Sequence, residues 1–278
     1  MKLGNLEFHI VVAGHVHLDG GAMFGVIPKT IWEEVAPPDS KNRVLLALNC
    51  LLIRAGGKRI LVETGAGDKL KEKLRAIYDF DSPTLIQGLQ DFGVHPEEVD
   101  IVVDTHLHFD HCGGNTRLEK DKVVATFPNA RYIVHKGEFE HAKSPNERDR
   151  ASYMPENYMP IEAAGKLSLI EDDRVIAPGV ELIRVPGHTA DMLCVKLSGG
   201  GKTAFLFADL IPMTPHLGIP WIMGYDLYPM MTLENKKKWL PVVAKEEWIA
   251  LFVHDAAIPA AYLRERNGRY EPEAVKVD

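Results

Sequence analysis

Thr105-His106-Leu107-His108-Phe109-Asp110-His111-Cys112-Gly113-Gly114 is the stretch on which the reading of this chain turns. Four side chains able to hold a metal, His106, His108, Asp110 and His111, fall within six positions. They follow an apolar run, Val99 to Val103, that reads as a buried strand. If the backbone stays extended past that strand, His106, His108 and Asp110 point to one side and His111 to the other. One tetrahedral ion uses four such donors poorly, whereas two neighbouring ions accommodate them. The Gly113-Gly114 pair frees the chain to turn sharply just after them.

Around this cluster the composition is that of an ordinary globular protein: 278 residues, 46% hydrophobic and 26% charged. A net charge of −7 argues against a protein that tracks nucleic acid, which needs an excess of Lys and Arg. The one basic run, Lys236-Lys237-Lys238, reads as the solvated face of a helix. Cys50, Cys112 and Cys194 are widely spaced and form no CxxC, which fits a reducing compartment. Met1 to Gly14 reads as a strand and not as a secretory signal, and no apolar run approaches the ~20 residues a membrane span needs. The expectation is a soluble cytoplasmic protein with no membrane or nucleic-acid partner.

Outward from the cluster, Leu6 to Ala13 reads as a strand, followed by a Gly-rich irregular stretch from Gly14 to Pro28. Arg43 to Arg54 and Lys58 to Glu63 form a hairpin around Gly56-Gly57. Asp68 to Tyr78 has helical spacing, and Ser82-Pro83 opens a helix running to about Phe92, closed by Gly93. Arg131 to His135 reads as a strand and Lys136 to Lys143 as a helix, while 145–165 is a loop or small cap. Short strands follow at Leu167 to Ile170, Val180 to Val185, Met192 to Leu197 and Thr203 to Ala208. Gly199-Gly200-Gly201-Lys202-Thr203 is a hairpin turn and not a phosphate loop, since a strand follows it. Leu233 to Glu246 reads as a helix kinked by Pro241, Trp248 to Val253 as a core strand, and Ala261 to Val275 as a hairpin around Asn267-Gly268. With no linker, repeat or low-complexity segment, the pattern favours one α/β domain over 1–278, its mixed sheets covered by helices.

Three further apolar runs end abruptly in a His or Asp: Val185-Pro186-Gly187-His188, Phe207-Ala208-Asp209 and Val253-His254. A polar residue straight after a buried strand must be paired or metal-bound, because burying it alone is costly. His-x-His-x-Asp-His, then Gly-His-Thr, then a strand-terminal Asp and a strand-terminal His, resembles the metallo-β-lactamase superfamily. Val62-Glu63-Thr64-Gly65 lies where that family usually has Asp-Thr-Gly. The resemblance implies a four-layer αββα sandwich with two divalent metal ions at one edge. It places His106, His108 and His188 on one ion, Asp110, His111 and His254 on the other, and Asp209 between them. His and Asp donors suit Zn, Fe, Mn or Co, with zinc the first expectation.

Within the superfamily, Asp209 in place of Cys disfavours a true β-lactamase, and His108 in place of Glu disfavours diiron redox chemistry. Gly187-His188-Thr189-Ala190-Asp191-Met192 argues against a glyoxalase II. The loops from Gly21 to Lys29 and from Trp221 to Pro229 resemble the N-acyl-homoserine lactonase, or quorum-quenching, group. Many of those carry a Tyr three residues after the bridging Asp; this chain has Pro212, so a carbonyl-polarising phenol must come from Tyr225 or Tyr228 or be absent. The reading is hydrolysis of a lactone or ester by a hydroxide bridging two ions, with Asp110 as proton shuttle and Tyr225 as the phenol. Its rivals are a phosphoester or organophosphate hydrolase, a mononuclear iron sulfur-oxidising enzyme, and a non-catalytic metal-binding module.

The substrate is expected to be a small molecule with an apolar acyl part, lined from loops near 14–32, 145–165 and 210–231. Met23, Phe24, Ile27, His216, Leu217, Trp221 and Met223 are the expected contacts, with Met154, Met159 and Met213 beside them. His15 and His17 lack an acidic or Cys companion nearby in sequence and read as loop residues lining the pocket; His135 and His141 read as surface. A homodimer is compatible with the sequence.

Overall fold

The computed structural model describes residues 1–81 and 83–277, and it is built around two seven-stranded mixed sheets. The first runs, in spatial order, Lys2–Leu3, Leu6–Asp19, Arg43–Ala55, Lys58–Val62, Ile101–Val103, Arg131–His135 and Leu167–Ile170. Its first four strands are antiparallel neighbours and the later pairings are parallel. The second runs Arg174–Ala177, Val180–Arg184, Leu193–Gly199, Lys202–Leu206, Ile249–Leu251, Ala260–Arg266 and Arg269–Ala274, with one parallel pairing between Lys202–Leu206 and Ile249–Leu251.

Burial of apolar faces stacks these sheets into layers. Leu51, Ile53, Ile60, Val62 and Val103 of the first sheet pack on Val180, Leu182, Leu193, Val195 and Leu251 of the second. On the outer face of the first sheet lie Leu85 and Leu89 of the helix Leu85–Asp91, packed with Val11, Leu52 and Leu61. On the outer face of the second, Leu240 and Val243 of the helix Pro229–Lys245 cover Phe205, Phe207 and Phe252. This is the expected αββα sandwich. No helix among the described residues is long and apolar enough to cross a membrane.

Several local expectations change. The first long strand does not stop at Ala13 but continues to Asp19, because a bulge between Val12 and His15, with Gly14 at φ 134°, restores the ladder. Gly20–Phe24 is then a short helix capped by the Asp19 side chain on the Ala22 amide. The helix after Pro83 starts at Leu85, and the proposed cap Ser82 lies outside the described residues. The last long helix begins at Pro229, four positions earlier than its apolar pattern suggests, and carries Pro241 within it. Lys236 breaks the reading of its run as a solvated face: it is wholly buried, since the loop that covers it is remote in pattern. The hairpins at Gly56-Gly57, Gly200-Gly201 and Asn267-Gly268 are present, with positive φ at all six turn residues.

Candidate metal centre

The strand Ile101–Val103 delivers the cluster into the gap between the sheets. The chain bends at Thr105 and His106, His108 is extended, and Phe109–Cys112 then turns into a short helix, which swings Asp110 and His111 round together. Gly113 and Gly114 close the turn where no side chain fits: a Cβ at Gly113 would stand 2.3 Å from the Ala66 carbonyl oxygen, and one at Gly114 would stand 2.3 Å from that of Thr64. The loop is locked to its neighbours by the Thr64 amide donating to the His111 carbonyl at 2.7 Å and by the Leu107 amide donating to the buried carboxylate of Glu138 at 3.0 Å.

The chain brings His188, Asp209 and His254 to the same place from three other strand ends. His106 Nε2 stands 3.1 Å and His188 Nε2 stands 3.0 Å from His108 Nδ1. His254 Nε2 stands 3.1 Å from His111 Nε2, and Asp110 Oδ2 lies 3.8 and 3.7 Å from these two nitrogens. Asp209 lies between the sets, Oδ1 at 3.4 Å from His111 Nε2 and 3.3 Å from His254 Nε2, Oδ2 at 3.3 Å from His188 Nε2. His106/His108/His188, His106/His111/Asp209 and Asp110/His111/His254 each have donor atoms close enough to share one ion. All seven residues are buried.

The other ring nitrogens are held from behind. His188 Nδ1 lies 3.0 Å from Asp226 Oδ1, and His254 Nδ1 donates to the Ala47 carbonyl at 2.9 Å. Thr105 donates its hydroxyl to Glu63, which leaves its oxygen to accept from His106 Nδ1 at 3.1 Å. Glu63 Oε1 also lies 3.4 Å from His111 Nδ1. With their Nδ1 sides occupied in this way, these rings turn their Nε2 atoms toward the shared centre, where a bound cation would take the lone pairs. Donors 2.0–2.1 Å from a tetrahedral ion sit about 3.3 Å apart, close to the spacings found here. The residues therefore fit divalent cations, and the outer partners are the kind that orient metal-binding imidazoles.

The charge balance agrees. Burial, then the neighbouring imidazoles, pulls His106 and His108 well below the ordinary range, so both are neutral donors. At His111 burial acts the same way but is outweighed by Asp209, Asp110 and Glu63, which together raise it. At Asp209 burial is outweighed by His111, His254 and His188, which hold its carboxyl well down and ionised. Two non-glycine residues at positive φ, Glu63 at 66° and Ala208 at 47°, flank the site, a local strain typical of functional positions.

A cavity of about 320 Å³ opens over the cluster. His108, Asp110, His188, Asp209 and His254 form its floor, and Met23, Met223 and Tyr225 are among its walls. Phe24, Ile27, His216, Leu217 and Trp221 do not reach it. His216 instead stacks on Phe24 at 4.9 Å and lies 2.9 Å from the Met23 carbonyl, while Leu217 is buried against the outer helix. Ile27 and Trp221 pack partly buried on the first core, as does Met154, and Met213 is buried in it; Met159 packs with Phe139 and Tyr158. Tyr228 caps the helix Pro229–Lys245 and is 42% exposed, outside the cavity. Leu18 and the Arg148-Asp149 pair line it from two of the loops expected to do so, without having been singled out, while Leu46 and Tyr78 come from outside those loops. Only contacts between remote segments bring these in, although Leu18 and Leu46 sit at cross-strand spacing. His15 and His17 face a separate groove, 3.0 Å from Asp81 and 3.4 Å from Asp79, acidic companions far off in sequence. His135 is buried rather than exposed, and His141 is bound to Asp149 at 2.6 Å.

Residues 44–263 match the family model of the metallo-beta-lactamase superfamily. An N-acyl homoserine lactonase from a Bacillus species is 29% identical over 195 residues, 69% of this chain and 67% of that protein. A probable metal-dependent hydrolase from Staphylococcus aureus superposes with a TM-score of 0.91 at 28% identity over 100% of both chains. A dizinc quorum-quenching lactonase, solved with a product bound, shares the fold with a TM-score of 0.81 at 21% identity, over 99% of this chain and 97% of its own. The floor of histidines and aspartates at the sheet edge, the αββα layers and the matched span agree: this chain belongs to the metallo-beta-lactamase superfamily.

Proposed function

We propose that this hydrolase opens lactones, N-acyl-homoserine lactones first among them, at a centre for two divalent cations. The carrying observation is Asp209, whose two oxygens face different histidine sets. His106, His108 and His188 would hold one cation, Asp110, His111 and His254 the other. Bound there, zinc, or iron, manganese or cobalt in its place, would bring the pKa of water from about 15.7 toward 7 and polarise an ester carbonyl.

The chain's own residues supply the rest. Asp110, on the cavity floor, takes the proton of the attacking water and returns it to the leaving alkoxide. Tyr225 donates its phenolic proton to the carbonyl oxygen as negative charge develops there. Burial above all, with Tyr78, Asp19 and Asp110 adding to it, raises the Tyr225 phenol, so it stays a donor through the working pH range. Leu18, Met23, Leu46 and Met223 give an apolar wall for an acyl chain. The relatives named as N-acyl homoserine lactonases support the same reading.

The test is metal content by plasma emission together with turnover of acyl lactones and of a phosphotriester. Two cations per chain and a lactone rate well above the phosphotriester rate are expected. One cation per chain, or faster phosphotriester cleavage, overturns the reading.

A further inference from the structure

Lys236 is wholly buried in the helix Pro229–Lys245, and its ammonium donates to the carbonyls of Gly218 at 2.6 Å and Trp221 at 2.7 Å. The two carbonyls bracket one turn, which the Trp221 amide closes by donating to Gly218 at 3.0 Å. The chain leaving that turn becomes cavity wall at Met223, Gly224 and Tyr225. Gly224 in turn donates its amide to the Ala22 carbonyl at 2.7 Å, beside Met23 on the facing wall. Trp221 meets Phe24 edge-on at 5.7 Å, so the turn supports both walls at once.

Burying an ammonium costs several kcal/mol unless its donors are satisfied, and an apolar side chain of the same length is often no less stable. Stability alone therefore does not account for a lysine here. The groups that face it are Asp226, which favours its charge, and His216, which its charge disfavours from protonating. Burial brings its pKa to about 7, but the neutral amine keeps two protons and can still serve both carbonyls.

We infer that Lys236 is the positioning residue that sets acyl-chain specificity, by holding the turn 218–221 from which the cavity-wall residues Met223, Gly224 and Tyr225 lead off. It touches no reacting atom. The identity of the chain rests on the lactone reading above, whereas the tether does not.

The experiment compares metal-loaded wild type with Lys236→Met and Lys236→Gln, by hydrogen exchange and by kinetics on butanoyl to decanoyl homoserine lactones. In Lys236→Met, exchange in 218–225 should rise at least about tenfold, the loss of two charge-assisted bonds, with 106–111 unchanged. KM should rise about tenfold for the decanoyl lactone and by no more than about threefold for the butanoyl lactone, with the metal content unchanged. Lys236→Gln, which keeps an amide donor, should fall between the two and decides the matter if Lys236→Met does not fold. Unchanged exchange with an unchanged chain-length profile overturns the inference, as does an equal loss on every chain length accompanied by metal loss. If wild type opens no lactone, the functional reading fails, and the exchange result still decides the tether.

Discussion

His254 and His111 turn their Nε2 atoms to within 3.1 Å of each other while Nδ1 of His254 is spent on the Ala47 carbonyl at 2.9 Å and that of His111 faces Glu63 at 3.4 Å. Two lone pairs held that close are repulsive unless positive charge lies between them. The fold supplies the holding force: the Ala47 amide also donates to the His254 carbonyl at 3.1 Å, so the first sheet grips this loop of the second from both ends of one residue. The site is thus pre-organised by backbone hydrogen bonds before any cation binds.

Asp209→Ala removes a carboxylate whose two oxygens reach the two histidine sets. Metal content should fall below two per chain, and kcat/KM should fall by at least about 100-fold, beyond what outer partners cost. Metal analysis and steady-state kinetics on the same sample check this. Full turnover with full metal would refute the bridging role.

Asp226→Asn acts one step further out. Asp226 faces His188 Nδ1 with one oxygen at 3.0 Å and accepts from the Thr232 hydroxyl with the other at 2.6 Å. Losing the carboxylate should weaken cation affinity about 10- to 100-fold, measured by competition with a chelator, and leave the fold intact. An unaltered affinity would mean that His188 needs no orienting partner.

The donors were legible because each ends its own apolar run, and that is a local property of the sequence. Their grouping into one site was legible only through order and resemblance. The cavity wall was not. Phe24, His216 and Trp221 look like pocket residues in a linear reading, yet His216 and Trp32 stack on Phe24, at 4.9 and 5.1 Å, and Trp221 meets it edge-on. Nothing local distinguishes a buried aromatic loop from a ligand-lining one. The bulge after Val12 likewise hid six residues of strand, because a Gly and a pair of histidines read as irregular backbone. Lys236 was misplaced for the opposite reason: charge predicts exposure, and only the turn at Gly218 to Trp221 overrides it.

Tyr225→Phe should separate the phenol from the wall. Both Tyr225 and Tyr78 line the cavity, but Tyr78 stacks on Phe109 at 4.9 Å, which suits a packing role. Removing the Tyr225 hydroxyl should lower kcat about 100- to 1,000-fold with metal content unchanged, the scale of one lost transition-state donor. Tyr78→Phe should alter KM more than kcat. The reverse pattern in the two variants would move the role of carbonyl donor to Tyr78.

The buried ammonium of Lys236 also has a thermodynamic signature. Burial lowers its pKa from 10.5 to about 7, so between those values the unfolded chain holds the proton more tightly than the native one. Unfolding then takes up a proton, and stability rises with pH across that window, by up to about 1.4 kcal/mol per pH unit. Below pH 7 both states are protonated and above 10.5 both are neutral, so the slope vanishes at either end. Metal-binding histidines add their own pH dependence, but it is common to wild type and Lys236→Met at equal metal loading and cancels in the difference. Urea titrations of the two proteins from about pH 6.5 to 9.5 should show wild type gaining on the variant by roughly 1 kcal/mol per unit. A constant difference would mean that the native lysine keeps an ordinary pKa, and that its two carbonyl partners fully replace the water it lost.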